Sequence, residues 1–321
     1  MPGPTKRCFS QVHGTVRSLT NPVKVDHLKS LPGAAERLHL FESDLLKPDS
    51  FEEAFAGCEG IFHTASPFFF ATTDPENDLL KPAYDGTMNV LNAAKRAGVK
   101  TLILTSSMAA VMGKEAPADH VWSAKDWSDP ERQLAKEQWY LLSKTRAELA
   151  AWEWHEKEGE PFRMAVINPT LVSGPMAQPS MNESSGLFEA FVTGKRDKVP
   201  DGHMSFVDVR DTAELHVRAY ENEAASGTRA AALADGTGRY ITVASSVSWK
   251  DAVAALKAAL PEDLAARVPV FEGDVSGTAS EYDTTPATGQ LGVTWRSPVE
   301  QVADLARCPV FLAAVRESLK E

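Results

Sequence analysis

Short apolar runs alternate along the chain with longer stretches that carry apolar residues at helical spacing, which predicts an α/β protein. The run Leu102–Leu104 follows Gly98 and predicts a buried strand whose exit carries the hydroxyls of Thr105–Ser107. Ligands of a doubly wound parallel sheet bind beyond the carboxyl ends of its strands, so we expect these hydroxyls at a binding site. Three further strands, each together with the residues that directly follow it, are predicted at Leu38–Leu45, Gly60–Pro67 and Met164–Pro175.

Three longer stretches have the apolar spacing of amphipathic helices. The first helix is predicted at Asp74–Ala97 and is ended by Gly98. The second begins near Tyr140 and continues until Gly159, and the third is predicted at Trp249–Leu260. The first is interpreted as scaffold, whereas the second carries side chains suited to proton transfer.

Tyr140 and Lys144 are four residues apart in the second helix and therefore share one face, one turn apart. An ammonium beside a phenol favours the phenolate, so Lys144 is expected to lower the pKa of Tyr140 from about 10. Ser107 is then expected to hold a substrate oxygen while Tyr140 gives or takes its proton. This predicts carbonyl–alcohol interconversion. The alternative for the Tyr140–Lys144 pair is an exposed helix face, and the alternative for Ser106 is a structural hydrogen bond.

Nine short motifs follow one another in order between about Val12 and Leu319. They are Gly14–Arg17, Asp44–Leu45, Phe62–Pro67, Asp74–Asn77, Thr105–Ser107, Asp126–Asp129, Tyr140–Lys144, Ile167–Thr170 and Phe206–Arg210.

In this order the motifs resemble the extended short-chain dehydrogenases/reductases of the NAD-dependent epimerase/dehydratase superfamily, in the branch of the dihydroflavonol and cinnamoyl-CoA reductases. The resemblance implies a Rossmann-like doubly wound parallel sheet with a smaller C-terminal substrate lobe. The Rossmann-type NADP-binding domain is expected at residues 1–168 with 206–238, and the lobe at 169–205 with 239–321. Within these parts, Trp127 is interpreted as a packing anchor, and Asp208 and Arg210 as structural ion partners.

The resemblance also implies NADP as the cofactor and a Ser-Tyr-Lys site. Ser107, 33 residues before Tyr140, fits the catalytic serine better than Ser106 does. Tyr140 is expected to donate the proton, Ser107 to bind the developing alkoxide, and Lys144 to tune Tyr140 and bind the nicotinamide ribose. The other implied cofactor contacts are Arg17 and Lys24 at the 2′-phosphate, Asp44 and Leu45 at the adenine, Thr64, Ala65 and Ser66 at the ribose and phosphates, and Pro169 and Val172 near the nicotinamide.

Two of these cofactor residues have structural alternatives. Lys24 also fits a solvated surface cation, and Asp44 also fits a helix cap before Pro48. An arginine at the end of the second strand accommodates the 2′-phosphate of NADP, whereas NAD enzymes place an acidic residue there. Arg17 therefore favours NADP.

The N-terminus departs from the family, whose members open with an apolar strand, a G-x-x-G-x-x-G turn and a helix. Here residues 1–11 pass straight into Val12–Arg17, which matches the family's second strand, and only Gly3 is available for a phosphate loop. We expect the first βα unit to be missing, which would leave two neighbouring strands without a partner and about ten backbone hydrogen bonds of roughly 1 kcal/mol each unmade. We hypothesise an incomplete gene model or a truncated product of a longer reductase.

Substrate preference is indicated by departures from the two well-known activities of the branch. Met112 stands where dihydroflavonol reductases carry an asparagine, and residues 138–144 differ from the N-W-Y-x-Y-G-K of cinnamoyl-CoA reductases. Phe68–Phe70 either fill the core or form one wall of an apolar pocket. A small apolar carbonyl substrate is predicted. The alternatives are a non-catalytic or truncated remnant unable to bind cofactor, and a nucleotide-sugar epimerase or dehydratase.

Composition and net charge limit which classes of partner and which cellular compartment we expect for this protein. A net charge of −11 disfavours nucleic acid and anionic membranes as partners, because both need basic patches. The chain carries neither the long apolar run of a transmembrane helix nor the apolar N-terminal core of a signal peptide. Cys8, Cys58 and Cys308 are widely spaced, which suggests a reducing compartment. We expect a cytoplasmic monomer or homodimer, and no metal because the histidines lack ligand spacing.

Overall fold

The computed structural model of the protein describes residues 11–67 and 72–320. In these residues strands are interspersed with helices along the chain, as the apolar pattern predicts. The strands are β1 Val12–Val16, β2 Leu38–Glu42, β3 Gly60–His63, β4 Thr101–Thr105, β5 Val121–Trp122, β6 Arg163–Pro169, β7 Leu171–Ser173, β8 His203–Asp208, β9 Arg239–Thr242, β10 Ser245–Ser248 and β11 Glu281–Tyr282.

The helices agree with the three predicted from apolar spacing. The first of those begins with a π-helical turn, Glu76–Leu80, and ends at Gly98, whose φ of 69° is open to glycine at little cost. The helices are α1 Pro22–Lys29, α2 Ala34–Arg37, α3 Glu52–Phe55, α4 Lys81–Ala97, α5 Pro130–Ala135, α6 Trp139–Lys157, α7 Glu183–Thr193, α8 Val209–Glu221, α9 Arg229–Ala234, α10 Trp249–Ala259, α11 Glu262–Ala265, α12 Pro298–Arg307 and α13 Pro309–Ser318.

The larger sheet is parallel, with the strand order β3-β4-β6-β9. Its central strands are covered on both faces, which explains why their sequences are continuously apolar. Leu102 packs with Leu91 of α4 and Trp152 of α6 on one face. Ile103, the next residue along β4, packs with Leu215 of α8 on the other face. The fold is therefore a Rossmann-like, doubly wound α/β fold, as predicted.

A separate two-stranded parallel sheet is formed by β1 and β2, which pair from Val12 opposite Leu38. In residues 11–67 and 72–320, no strand pairs with the other edge of β1, and β3 is an edge strand of the larger sheet. Val12 is 43% exposed and Phe62 of β3 is 36% exposed. Besides its partner strand β2, β1 contacts α3, where His13 Nδ1 lies 2.7 Å from the carbonyl oxygen of Ala54.

The C-terminal part has its own sheet, β10-β8-β7, and its own hydrophobic core. That core includes Phe188 of α7, Phe206 of β8 and Trp249 of α10. The strand β9 begins at Arg239, in the segment predicted for the substrate lobe, yet it pairs with β6 of the larger sheet. The exact lobe boundaries stay a prediction. None of the helices described is long and apolar enough to cross a membrane.

Trp127, Asp208 and Arg210 are structural residues, as predicted. The indole of Trp127 donates to the carbonyl of Ala232 over 3.1 Å, and this bond fastens the loop after β5 to α9. Arg210 Nη2 lies 2.7 Å from Asp208 and 2.7 Å from Asp304 of α12. The pair with Asp304 connects the start of α8 to α12.

Candidate active site

Ser107 and Tyr140 meet at the carboxyl end of the larger sheet. Ser107 follows β4 by two residues in an extended conformation, and its hydroxyl accepts from the backbone N–H of Ala109 over 3.1 Å. Tyr140 is the second residue of α6, and its phenol is hydrogen-bonded to the Ser107 side chain. Two residues that are far apart in the sequence therefore present their hydroxyls to the same point.

Lys144 lies one turn further along α6, and its side chain is buried. Burial lowers the pKa of Lys144 to about 8, and the nearby Glu148 carboxylate acts in the opposite direction. Burial raises the pKa of Tyr140, and the Ser107 hydrogen bond opposes that rise. The predicted lowering of the Tyr140 pKa is therefore wrong in this structure, because desolvation of the phenolate outweighs the stabilising contacts.

His63, the last residue of β3, is a member of this buried group that sequence reasoning missed. Burial lowers the pKa of His63 to about 4, and the charge of Lys144 contributes in the same direction. His63 is therefore neutral near pH 7. Its position in the sequence could have indicated this, because His63 directly precedes Thr64 in the segment after β3 that was predicted to contact the cofactor.

Arg17 and Lys24 line a cavity of about 550 Å³ beside the smaller sheet. Arg17 follows β1, and Lys24 lies in the first turn of α1, whose N-cap Asn21 accepts from the N–H of Val23 over 3.1 Å. His27 Nδ1 is buried and has no hydrogen-bond partner among the residues that the structure describes. The lining residues are Val16, Arg17, Ser18, Asn21, Val23, Lys24, His27, Gln178 and Ser180.

Asp44 and Leu45 follow β2 in a turn. Asp44 Oδ1 accepts from the backbone N–H of Leu46 over 3.0 Å. This local side-chain bond to the backbone resembles the helix cap that was the structural alternative for Asp44. The carbonyl of Leu45 accepts from Asn89 Nδ2 of α4 over 2.7 Å. Their contact with an adenine stays a prediction.

The remaining predicted cofactor residues follow the strands of the larger sheet. Thr64 and Ala65 are exposed and Ser66 is half-buried beyond the end of β3. Pro169 is the buried last residue of β6, and Val172 is half-buried in β7. Because β3, β4 and β6 are parallel, their exits share one edge of the sheet with Ser107.

The residues present offer groups of the chemical kinds that bind the two ends of a dinucleotide. Arg17 and Lys24 offer cations to a phosphate at one end, and Ser107, Tyr140 and Lys144 offer hydroxyls and an amine at the other. The sequence contains no G-x-x-G-x-x-G turn for the central pyrophosphate. Gly3 and Phe68–Phe70, which were predicted either to fill the core or to form a pocket wall, lie outside the described residues.

Among residues 11–67 and 72–320, no group of three or more His, Cys, Asp or Glu side chains is arranged to hold a metal ion. Cys58 is half-buried and Cys308 is buried, and both are free thiols. Burial raises the pKa of the Cys58 thiol, which disfavours the reactive thiolate.

Three buried polar residues beneath Lys144 were also missed in the sequence: Glu148, Asn168 and Arg239. Glu148 follows Lys144 by one helical turn, which was a usable signal. Asn168 directly precedes Pro169 in a motif already assigned to the site. Arg239 had no signal, because it lies 91 residues from its partner Glu148.

A family model matches most of the chain. It is described as the NAD dependent epimerase/dehydratase family, and it matches residues 10–231. The chain belongs to this family. Membership agrees with the parallel sheet and with the motifs that follow its strands.

Curated relatives of the chain are plant reductases. It is 42% identical over 219 residues to cinnamoyl-CoA reductase CAD2 of Medicago truncatula, a match that covers 67% of this chain and 66% of that protein. It is 35% identical over 301 residues to tetraketide alpha-pyrone reductase 1 of Arabidopsis thaliana, which covers 92% of this chain and 86% of that one. The matched part thus spans slightly less than two thirds of the first reductase.

Solved structures of reductases share the fold. Gre2 from Candida albicans, in a complex with NADPH, superposes with a TM-score of 0.78 at 29% identity and covers 95% of this chain and 92% of that one. Vestitone reductase from alfalfa superposes with a TM-score of 0.72 at 28% identity and covers 96% and 90%.

Proposed function

We propose that this protein is an NADP-dependent oxidoreductase that reduces a carbonyl compound to an alcohol at Ser107, Tyr140 and Lys144. The hydrogen bond between the Ser107 hydroxyl and the Tyr140 phenol carries this proposal, because it aims two hydroxyls at one oxygen position beyond the parallel sheet. The relatives named above are reductases, which supports the same reaction class.

The proton comes from Tyr140. Its raised pKa keeps the phenol protonated at neutral pH, so it enters the reaction as a donor. Ser107 donates a hydrogen bond to the substrate oxygen as negative charge develops there. Lys144, with a pKa of about 8, is mostly an ammonium at pH 7 and stabilises the phenolate that Tyr140 leaves behind. NADPH, when bound, supplies the hydride.

Arg17 and Lys24 are assigned to the 2′-phosphate that distinguishes NADP from NAD. Both line the cavity beside β1, and Arg17 occupies the strand end where NAD enzymes carry an acidic residue. Asp44 and Leu45 would contact the adenine, Thr64, Ala65 and Ser66 the ribose and phosphates, and Pro169 and Val172 the nicotinamide side.

The substrate carbonyl is expected to carry apolar groups. The segment after Ser107 contributes the buried side chains Met108 and Val111, which pack with Trp122 of β5. Met112 packs against this cluster, and its sulfur lies 3.7 Å from the Tyr282 hydroxyl. Of Met108, Val111 and Met112, only Met112 is partly exposed, and its apolar side chain five residues after Ser107 favours an apolar substrate over a sugar nucleotide.

A carbonyl panel with NADPH tests the proposal. Tyr140→Phe removes the proton donor and should lower the rate of NADPH oxidation roughly 100-fold or more. Tyr240→Phe is a matched control, because it also deletes a hydroxyl, one that donates to Gln290 over 3.0 Å outside the site. Its rate should match the parent's.

Cofactor binding is measured separately, by following protein fluorescence while NADPH is added. Micromolar binding supports the reductase, and absence of both binding and turnover identifies a non-catalytic remnant. Equal turnover by the parent and Tyr140→Phe contradicts the assigned proton donor. Conversion of a UDP-sugar without net NADPH oxidation would identify an epimerase.

A further inference from the structure

A fully buried polar network lies directly beneath the catalytic side chains. Arg239 Nε donates to Glu148 Oε1 over 2.6 Å, and Asn168 Nδ2 donates to Glu148 Oε2 over 2.7 Å. The same amide nitrogen of Asn168 lies 3.2 Å from the backbone carbonyl oxygen of Ser107. The network therefore joins α6, β6 and β9 to the loop that carries the catalytic serine.

The guanidinium of Arg239 is held rigidly at the base of this network. Its Nη1 donates to the carbonyls of Ala124 and Asp126 over 2.6 and 2.7 Å. Its central carbon lies 3.7 Å from the centroid of the Trp127 ring, in the geometry of a cation–π contact. The positive charge of Arg239 therefore has partners on several sides. Because these partners hold the guanidinium in place, its bond to Glu148 keeps that carboxylate in one position.

Stability alone does not explain such a pair. The desolvation of two buried charges largely offsets their attraction, so apolar residues of similar size often stabilise a core as well or better. The position of the pair suggests another role, because Glu148 lies one turn from Lys144 on α6. The other titratable groups that face Lys144 are Tyr140 on the same helix and His63 of β3, and both are neutral near pH 7.

We propose that Glu148 is a positioning residue that serves two members of the site at once. Its negative charge keeps Lys144 an ammonium in a buried setting, and its bond to Asn168 fixes the backbone of Ser107. Arg239 balances that charge and so sets how strongly Lys144 experiences it. The catalytic consequence rests on the proposed reductase function, whereas the effect on Lys144 ionisation does not.

The direct test is the titration of Lys144, followed by NMR on protein with isotope-labelled lysine and assigned with Lys144→Arg. Glu148→Gln removes the negative charge and should lower the Lys144 pKa by about one unit or more. Arg239→Gln removes the opposing positive charge and should raise it. Arg163→Gln is the matched control, because Arg163 also donates to two backbone carbonyls but belongs to the far end of β6.

Opposite shifts in the two variants support the proposal, since lost packing alone gives no reason for opposite signs. Unchanged values, or shifts in the same direction, overturn it. If either single variant fails to fold, the apolar pair Glu148→Leu with Arg239→Met keeps the volume and removes both charges. In that double variant the Lys144 pKa should fall below the parent's, because Glu148, one turn away on α6, acts on Lys144 more strongly than Arg239 does. A Lys144 pKa equal to or above the parent's would contradict the proposal.

Turnover gives a second readout once the parent is shown to reduce a carbonyl. Glu148→Gln should lower kcat about tenfold with little change in KM and should shift the alkaline limb of the pH profile to lower pH. Glu148→Asp should recover part of the rate, because it returns the charge. A parent without activity would refute the proposed function while leaving the NMR result to decide the role of Glu148.

Discussion

His63 and Lys144 share a buried corner between β3 and α6, where they are 5% and 7% exposed. Protonation in this corner is controlled by desolvation, which disfavours the charged form of every group. His63 responds by staying neutral, and Lys144 keeps its proton with the help of Glu148. Tyr140 remains a phenol for the same reason, so the site at rest holds one proton donor beside one cation.

His63 should make the protein sensitive to acid. Its pKa is about 4 in the folded chain and 6.5 in the unfolded chain, so between these values the unfolded state binds more protons. The free energy of unfolding should therefore fall as the pH drops from about 6.5 to about 4, with about 3 kcal/mol from this residue. Urea unfolding of the parent and His63→Gln across this range should show a shallower loss in the variant. Parallel curves would contradict the assignment.

At the scale of elements, the site depends on where strands stop. The stretch Met164–Pro175 was predicted as one strand and its exit, and the structure divides it into β6 and β7 in two different sheets. Pro169 ends β6, because proline has no N–H for the next ladder bond. The chain can then leave the Rossmann sheet beside Ser107 and enter the C-terminal lobe.

The contact between α8 and α12 is expected to contribute to the stability of the fold, and this can be tested by mutation. Asp208 is fully buried, caps α8 by accepting from the N–H of Arg210 over 2.7 Å, and also binds the Arg210 side chain. Asp208→Ala should lower the free energy of unfolding by roughly 2 to 4 kcal/mol, since it removes a cap and a charged hydrogen bond. Arg307→Ala breaks a solvent-exposed pair with Asp304 at 3.7 Å and should change it by less than about 0.5 kcal/mol. Equal losses of stability in the two variants, measured by thermal or urea unfolding, would contradict the structural role of Asp208.

At the scale of the molecule, the described Rossmann part divides its parallel strands between two sheets, β1-β2 and β3-β4-β6-β9, where a doubly wound fold usually has one. β1 and β3 both have an edge without a strand partner among the described residues. The cation-lined cavity lies by the smaller sheet, and the Ser107–Tyr140 pair lies by the larger sheet. In the proposed mode of binding a dinucleotide contacts both, so we expect its affinity to depend on how firmly the two sheets are held together.

A family-type unit of strand, G-x-x-G-x-x-G turn and helix, fused ahead of Val12, should join the two sheets. We expect the free energy of unfolding to rise by several kcal/mol, because the edges of β1 and β3 that have no strand partner among the described residues gain ladder hydrogen bonds of about 1 kcal/mol each. NADPH affinity should rise as well, since the turn supplies backbone N–H groups to the pyrophosphate. A matched fusion with alanines in place of the three glycines should gain stability but not affinity. Equal NADPH affinity in both fusions would contradict the role of the turn.

The sequence by itself determined the features that depend on local spacing. Continuous apolar runs require burial on both faces, which predicts the parallel sheet, and the four-residue interval of Tyr140 and Lys144 places them on one face of α6. Only the tertiary structure decided how those groups ionise and what supports them. Burial is a sum over neighbours from the whole chain, so it reversed the expected shift of Tyr140. It also brought Arg239 under Glu148, a contact that no local pattern encodes.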